Sequence, residues 1–183
     1  THFFTTVREF AAHAKGRKQL RLEYWYRALR QKNGILMDGK APVGGQWNFD
    51  HDNRKPWLGT PATPLDRRPV HDHQLLWHVI TTAGVQSFGN PQAAQFRWPL
   101  NRVEALEWLE HFITTTLVNF GDYEDAIVRT EMVLNHSLLA PMLNIGLLTP
   151  KQIIERVLAH HQKHEISINS LEGFIRQIGR AHV

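Results

Sequence analysis

Two adjacent cations, Arg54 and Lys55, follow a run of aromatic and polar residues in the segment GGQWNFDHDNRKPW. The segment contains a double glycine and a proline, which suit neither a regular helix nor a half-buried strand. Its aromatic residues are Trp47, Phe49 and Trp57. Cations interleaved with flat rings can bind unstacked or distorted nucleic acid, because the charges contact phosphates while the rings stack on bases. In the alternative interpretation, the aromatics only anchor the loop on the protein.

A second candidate is the segment NHSLLAP, residues 135–141, which places small and polar groups just ahead of an apolar run. Its main-chain N–H groups and the Ser137 hydroxyl could face an anion at a helix N-terminus. Composition does not separate this possibility from an ordinary N-cap, which is the default interpretation.

The twelve histidines raise the question of a metal site. His160 and His164 have the i,i+4 spacing of a helical zinc site. However, the motif HHQKH has no glutamate between this pair to act as a base, and it ends a helix, where the dipole favours cationic histidine. A metal site is therefore not predicted here, nor at the loop motif that contains His71 and His73. Walker, GxGxxG, GxSxG and kinase motifs are also missing from the sequence.

The composition argues against intrinsic disorder and against a membrane span. Hydrophobic residues make up 42% and charged residues 21% of the 183 residues, and no apolar run reaches the roughly 18 residues that a spanning helix needs. The net charge of +4 is compatible with a polyanionic partner such as nucleic acid. The absence of cysteine excludes disulfides, thiolate nucleophiles and cysteine-ligated metals within this sequence, and it favours a reducing cytoplasmic location.

The elements that must position these residues are predominantly helical. Capping-box patterns at Thr6, Asn101 and Thr149 predict helix starts directly after each of them. Further helices are predicted over 17–31, 73–83 and 123–134, and from residue 169 or 170 onward. Gly121-Asp122 is interpreted as a break between the helix after Asn101 and the helix over 123–134. The stretch 41–72 is predicted to be a linker or a long functional loop, because it is rich in proline and lacks sustained periodicity. A brief strand is predicted at 35–37.

Five segments together closely resemble one family. They are GRKQLRLEYWYRALRQKNGILMDGKAPVGGQWNFDHDNRKPW (16–57), FRWPLNRVEALEWLEHFI (96–113), FGDYEDAI (120–127), LNHSLLAPMLNIGLLTPKQIIE (134–155) and SLEGFIRQIG (170–179). In this order they resemble the deoxyribodipyrimidine photolyase-related group, the iron–sulfur bacterial cryptochromes and photolyases that include prokaryotic (6-4) photolyases. The resemblance covers nearly the whole chain.

The resemblance implies a mainly α chain with three parts. Residues 1–49 would be the end of an α/β Rossmann-like antenna domain, residues 50–75 the interdomain loop, and residues 76–183 the first helices of the all-helical FAD-binding domain. Because the sequence starts at Thr1 and stops directly after a helical pattern, we expect an internal fragment of a longer protein. The antenna chromophore and a 4Fe–4S cluster are expected only in the full-length protein. The fragment alone is expected to expose apolar surface and to self-associate.

The resemblance also implies specific contacts with FAD. The implied flavin contacts are His136, Ser137, Leu138, Leu139 and Ala140, with Tyr123 near the adenosine end and Gln177 near the flavin and the lesion. Since His136 and Ala140 replace hydroxyl residues of the family, main-chain donors and Ser137 would contribute more to binding the diphosphate.

Arg54 and Lys55 are similar to family positions expected beside DNA. The sequence departs from the family at its end, where IGWRE is expected after Ile178 and GRAHV is found instead. The catalytic histidines would lie beyond residue 183, and no catalytic residue is assigned within the chain.

The implied activity is light-driven DNA repair. In the full-length protein, reduced FAD excited by light would donate an electron to a pyrimidine dimer or (6-4) product flipped out of damaged DNA, the partner. The fragment by itself would lack this activity. Two alternatives stay open: a cryptochrome-like blue-light photoreceptor with the same fold and FAD but no repair, and a stand-alone helical DNA-binding module without a cofactor.

Overall fold

The computed structural model describes residues 4–89 and 91–181, and in this part the chain is mainly helical, as predicted. The α-helices are α1 (Val7–Ala14), α2 (Leu22–Asn33), α3 (Gln74–Thr82), α4 (Arg102–His111), α5 (Leu117–Tyr123), α6 (Ala140–Asn144), α7 (Pro150–His161) and α8 (Ile168–Ala181). Two short antiparallel strands, β1 (Met37–Asp38) and β2 (Ala41–Pro42), follow α2 and pair Met37 with Pro42. The assignment of the first 49 residues to a Rossmann-like domain stays a prediction.

The predicted capping residues begin three of these helices. At α1 the Thr6 hydroxyl accepts from the Glu9 N–H at 3.2 Å, and the Glu9 carboxylate accepts from the Thr6 N–H at 2.8 Å, which completes the capping box. The side chains of Asn101 and Thr149 each accept from the N–H three residues on, at 3.0 and 3.3 Å. These bonds satisfy backbone donors that a helix start leaves without partners.

The second helix begins later than predicted, at Leu22 instead of Arg17. Gly16 has a φ of +76°, which turns the chain out of α1. The Arg17 guanidinium Nε then donates to the His13 carbonyl at 2.6 Å. Arg17 is therefore held at the end of α1 and is not available to start α2.

The predicted break at Gly121 is wrong, because Gly121 lies inside α5. The stretch from α4 to α5 is continuous through a π-helical turn, Phe112–Thr116. A Cβ at Gly121 would lie 2.6 Å from the backbone nitrogen of Ser170. The Gly121 N–H donates to the Ser170 hydroxyl at 3.0 Å. Glycine therefore allows α5 to approach α8 closely and does not end a helix here.

The helix predicted over 123–134 is also wrong, since α5 ends at Tyr123 and no helix follows before α6 in this described stretch. The apolar residues that suggested it do not form one buried face. Ile127 and Met132 are fully exposed, whereas Ala126 and Leu134 are buried. The apolar residues have helical spacing in the sequence, but only some of them are buried in the folded chain.

The hydrophobic core lies where α4, the π-helical turn, α5, α7 and α8 meet. At its centre Phe112 contacts Phe120 and Phe174, with ring centroids 6.0 and 4.8 Å apart. Other fully buried core residues include Leu109, Leu117, Met142, Ile153 and Leu171. In contrast, α3 buries none of its residues. None of the helices in the described residues is long and apolar enough to cross a membrane.

Candidate functional site

Arg176 is the centre of a buried ionic cluster that joins α8 to α2 and to two loops. Its side chain is 3% exposed, and its Nη2 lies 3.1 Å from Glu124 Oε1 and also pairs with Asp50. Its Nε lies 3.5 Å from Glu172 Oε1, one turn earlier on α8. The hydroxyl of Tyr26, on α2, donates to Glu172 at 2.9 Å. We call these five residues the Arg176 cluster.

Burial dominates the electrostatics of the Arg176 cluster. It raises the pKa of Glu124 and of Glu172, although the charge of Arg176 opposes the shift in both. Burial also disfavours the charged form of Arg176, but the nearby carboxylates, Glu172 first, outweigh it and raise the arginine pKa. Burial and the Glu172 charge raise the pKa of Tyr26. Tyr26 therefore stays a protonated donor, and Arg176 compensates both glutamates, with the charge of Arg30 also lowering the pKa of Glu172.

The predicted flavin segment, residues 136–140, forms a tight turn against α4. The indole Nε1 of Trp108 donates to the Ser137 carbonyl at 2.8 Å. Leu138 has a φ of +55°, and the N–H of the buried Leu139 points at the Ser137 hydroxyl, 3.5 Å away. Ala140 is exposed and begins α6, which has only five residues. The N-cap of α6 is Leu139 and no side chain caps this helix, so the N-cap that was the default interpretation of the segment is not formed.

Tyr123 directly precedes Glu124 in sequence, and His136 is hydrogen-bonded to Glu124. His136 Nε2 lies 3.0 Å from the carbonyl oxygen of Glu124, so Nε2 must be the protonated nitrogen in this bond. The Tyr123 hydroxyl donates to the carbonyl of Thr60 at 3.2 Å. Gln177 is exposed on α8 and directly follows Arg176, the partner of Glu124. The structure thus connects His136 to the residue that follows Tyr123, and connects Gln177 to the same residue only through Arg176.

A large cleft opens beside this segment, between the loop over residues 62–69 and the face of α4 and the π-helical turn. Its volume is about 620 Å³, and its lining includes Asn135, Trp108, His111, Thr114, Thr115, Asn119, Arg67 and three glutamates of α4. A small neighbouring cavity of about 20 Å³ is lined by His136, Trp108 and His111. We call the larger space the Asn135 cleft.

Arg54 and Lys55 line a separate open groove of about 600 Å³. Arg54 is exposed, whereas the Lys55 Nζ lies 2.8 Å from Asp122 Oδ2 at the end of α5. The hydrogen bond and charge of Asp122 raise the pKa of Lys55, so this amine stays cationic. The preceding residue, Asn53, is buried and donates to the Asn169 carbonyl at 3.3 Å. The structure therefore presents both cations from a loop that is fixed to α8.

The aromatics of the same loop act as anchors. The guanidinium groups of Arg27 and Arg30 each lie 5.4 Å from the ring centroid of Trp47. Phe49 is buried, and the Trp57 indole donates to the Pro61 carbonyl at 2.7 Å. These rings are already engaged within the protein, which supports the anchoring interpretation and leaves the two cations as the accessible groups.

The histidine pair on α7 forms a stacked contact. The rings of His160 and His164 lie 4.2 Å apart at an angle of 23°. Burial, followed by the charge of His164, lowers the pKa of His160. In residues 4–89 and 91–181 no group of three or more His, Asp or Glu side chains is arranged to hold a metal ion.

Sequence reasoning missed two features of this region. Glu172 and Arg176 are an i,i+4 pair inside the apolar face of α8, and their spacing among Leu171, Phe174 and Ile175 was the available signal. The buried Asn135 gave no comparable signal, because an asparagine ahead of a helix is ordinarily a cap.

Comparison with known proteins places these features in a family. Residues 1–98 match the family model described as deoxyribodipyrimidine photo-lyase-related protein. The chain is 38% identical over 183 residues to the (6-4) photolyase of Agrobacterium fabrum, a match that covers 96% of this chain and 35% of the relative. It is also 39% identical over 57 residues to an uncharacterized protein of Acanthamoeba polyphaga mimivirus, covering 31% of this chain and 44% of that protein.

The chain spans about a third of the length of the (6-4) photolyase and under half of the length of the viral protein. The family match covers residues 1–98, more than half of the 183 residues, and the (6-4) photolyase match extends over almost all of them. The chain therefore belongs to the deoxyribodipyrimidine photo-lyase-related protein family.

Proposed function

We propose that this chain is part of a flavin-dependent DNA photolyase that uses light to reverse pyrimidine–pyrimidine photoproducts of the (6-4) or cyclobutane type. The observation that carries the proposal is the 38% identity to a (6-4) photolyase over 96% of the chain. Because the chain spans only 35% of that relative, the activity is proposed for the full-length protein. This chain would contribute part of the FAD site and one edge of the DNA site.

The turn at residues 136–140 suits the diphosphate of FAD. Leu138, with its positive φ, is followed by Leu139 in a right-handed conformation, with φ −84° and ψ −11°. Such alternation turns the N–H groups of Leu138, Leu139 and Ala140 to one side and creates a concave anion site. Within the described residues, the backbone N–H groups of His136, Ser137 and Leu138 have no acceptor. These donors are available to phosphate oxygens, so the residues present fit the group.

Four of the seven predicted flavin residues then have a definable task for their side chains. The Ser137 hydroxyl, whose contact with the Leu139 N–H is a long 3.5 Å, can turn to donate to a phosphate oxygen. His136 is held in orientation by the Glu124 carbonyl, and Tyr123, which directly precedes Glu124, would contact the adenosine end. Gln177 is exposed and free to contact the flavin or the lesion. When bound and reduced, FAD supplies the light-driven electron chemistry.

Damaged DNA is the proposed partner of the groove at Arg54 and Lys55. A phosphate that reaches Lys55 can share its ammonium group with Asp122, which accepts one of the three N–H groups at 2.8 Å. Replacing Lys55 by alanine would therefore remove one cation and also leave the Asp122 carboxylate uncompensated in the groove. We expect Lys55→Ala to weaken DNA binding more than Arg54→Ala, which removes a cation only.

Binding of lesion-containing duplex DNA by the full-length protein, measured against salt concentration, tests the groove. Each alanine variant should reduce the slope of log affinity against log salt by about 1. Lys151→Ala is the matched control, since Lys151 is also an exposed lysine beside a carboxylate, Glu155, at 3.7 Å, but lies outside the groove on α7. If Arg54→Ala and Lys55→Ala behave like this control, the groove has no part in DNA binding.

The enzymatic proposal is tested by blue-light repair of oligonucleotides that contain one (6-4) product or one cyclobutane dimer. Repair of either lesion by the full-length protein supports it. A protein that binds FAD and photoreduces it without repairing either lesion is instead a cryptochrome-like photoreceptor. A protein that purifies colourless and takes up no FAD refutes the flavin assignment.

A further inference from the structure

An exposed basic segment joins the end of α1 to the start of α2. No acidic residue occurs between Glu9 and Glu23. The cations of this segment are all exposed, and none of them lines the groove at Arg54 and Lys55. We call them the basic patch, which consists of Lys15, Arg17, Lys18 and Arg21.

The basic patch accounts for the whole net charge of the chain. The sequence has 21 Lys and Arg against 17 Asp and Glu, which gives the net charge of +4. Without the four cations of the patch, 17 basic residues would face 17 acidic ones. A small surplus of positive charge attracts a polyanion only where it is clustered. Here the surplus is concentrated within seven consecutive residues.

The charges of the basic patch are not neutralised in the described structure. The side chains of Lys15 and Lys18 have no hydrogen-bond or ionic partner among the described residues. Arg17 donates to a main-chain carbonyl at 2.6 Å, and Arg21 donates to a side-chain amide oxygen at 3.3 Å. Both of these acceptors are uncharged. All four positive charges are therefore available to an anionic partner.

The basic patch rests on an ordered support. The guanidinium of Arg21 lies 5.8 Å from the ring centroid of Tyr24, one turn into α2. The ring of His13, near the end of α1, lies 4.6 Å from the ring of the buried Trp25 on α2. This contact fixes the two helices that flank the patch. Binding therefore requires ordering of side chains but not of the backbone on either side, which lowers its entropic cost.

We propose that the basic patch binds the phosphate backbone of duplex DNA, without regard to sequence or lesion, as a second surface besides the groove. The choice of DNA among polyanions rests on the proposed function. A segment of seven residues spans at most about 25 Å. At about 3.4 Å per phosphate along one strand, this length faces roughly seven phosphates. Each of the four cations can therefore meet a phosphate and release condensed counterions.

The apolar residues around the patch favour DNA over an anionic membrane. A helix that lies in a membrane interface needs a continuous apolar face to insert. The large apolar residues of α2, Trp25, Tyr26 and Leu29, are buried within the protein. Only Leu20 and Leu22 are exposed beside the cations, at 51% and 50%. The patch thus offers charge without an insertable face.

The experiment measures binding of two undamaged duplexes of different sequence to the full-length protein at several salt concentrations. Lys15→Ala/Lys18→Ala should reduce the slope of log affinity against log salt by about 2 for both duplexes. Between about 50 and 200 mM salt, the wild type should therefore lose about tenfold more affinity than the variant. The loss should be equal for a duplex with one (6-4) product, because phosphates carry no information about the bases.

The matched control is Lys40→Ala/Lys163→Ala. These two lysines are also exposed and have no side-chain partner among the described residues, and they lie outside the patch. The control removes the same charge and should leave the salt slope unchanged. The inference is overturned if the patch variant keeps the wild-type slope, or if the control reduces the slope equally. It is also overturned if the patch lysines are needed to bind phosphatidylserine vesicles but not DNA.

The inference and the proposed function fail in different ways. A protein that repairs a lesion under blue light, but whose patch variant binds undamaged DNA like the wild type, refutes this inference alone. A protein that repairs neither lesion, but binds undamaged DNA through the patch lysines, refutes only the proposed repair activity.

Discussion

Replacing Arg176 by methionine should destabilise the protein strongly, because it removes the single cation of the Arg176 cluster. Two carboxylates, Glu124 and Glu172, would remain with side-chain exposures of 5% and 0%. Removing one partner of a buried ion pair costs about 3–5 kcal/mol, since the other charge is left uncompensated. Methionine keeps most of the apolar stem, so lost packing contributes little.

The cost of Arg176→Met should also depend on pH in a defined direction. Burial raises the pKa of Glu124 and Glu172 above their ordinary value of 4.5, so the folded state binds more protons than the unfolded state above that pH. Stability therefore falls as the pH rises. Since Arg176 lowers both carboxyl pKa values, its removal raises them further and extends this effect. The variant should be close to wild type near pH 4.5 and most destabilised near pH 8.

The measurement is hydrogen exchange of peptides that cover α2 and α8 in the full-length protein, corrected for the intrinsic pH dependence of exchange. Arg156→Met is the matched control, because the Arg156–Glu110 pair has side-chain exposures of 40% and 48%. An exposed pair of this kind contributes about 0–1 kcal/mol. If the two variants reduce protection equally, or if the loss for Arg176→Met is the same at pH 5 and pH 8, the account of the cluster is wrong.

Three further predictions concern helix packing, a buried hydrogen bond and exposed apolar surface. Gly121→Ala should lower the free energy of unfolding by about 1–3 kcal/mol, because its Cβ meets the α8 backbone. Gly179→Ala should raise the free energy of unfolding by about 0.5–1 kcal/mol, because its Cβ meets the Tyr26 ring at an ordinary 3.5 Å. Urea denaturation measures both variants. Tyr26→Phe should cost about 1.5–3 kcal/mol by the same assay, because Glu172 loses a hydrogen bond. The isolated chain should sediment as oligomers, and Phe88→Ser, at a fully exposed position, should shift it toward monomer; a monomeric isolated chain contradicts this.

Helix starts were predictable where the signal is local. Thr6, Asn101 and Thr149 cap their helices through hydrogen bonds that span three residues, so the sequence alone contains all the participants. Gly121 shows the opposite case. Its place inside α5 depends on the close approach of Ser170, almost fifty residues away, and without that contact a glycine followed by aspartate resembles a break.

The candidate site shows the same division between local and distant information. The loop position of Arg54 and Lys55 was evident from the prolines and glycines around them, whereas the turn at residues 136–140 also depends on the bond from Trp108 to the Ser137 carbonyl. The partners of these residues were not predictable, since Lys55 pairs with Asp122 and His136 contacts Glu124 only after the helices have packed. Asn135 was not predictable either, because its distinguishing feature is a buried amide without a hydrogen-bond partner among the described residues, and a sequence does not show which contacts are missing.

The Arg176 cluster connects the two proposed binding regions mechanically. Asp50 and Asn53 fix the loop that carries Arg54, the first by pairing with Arg176 and the second by donating to Glu124 at 3.4 Å. Glu124 in turn holds His136 through its carbonyl group. Loosening Arg176 should therefore weaken both DNA binding at the groove and FAD binding at the turn, although Arg176 contacts neither region's exposed groups. Arg54→Ala should weaken DNA binding but leave FAD binding unchanged. Comparing it with Arg176→Met therefore distinguishes a residue that supports both regions from one that contacts DNA directly.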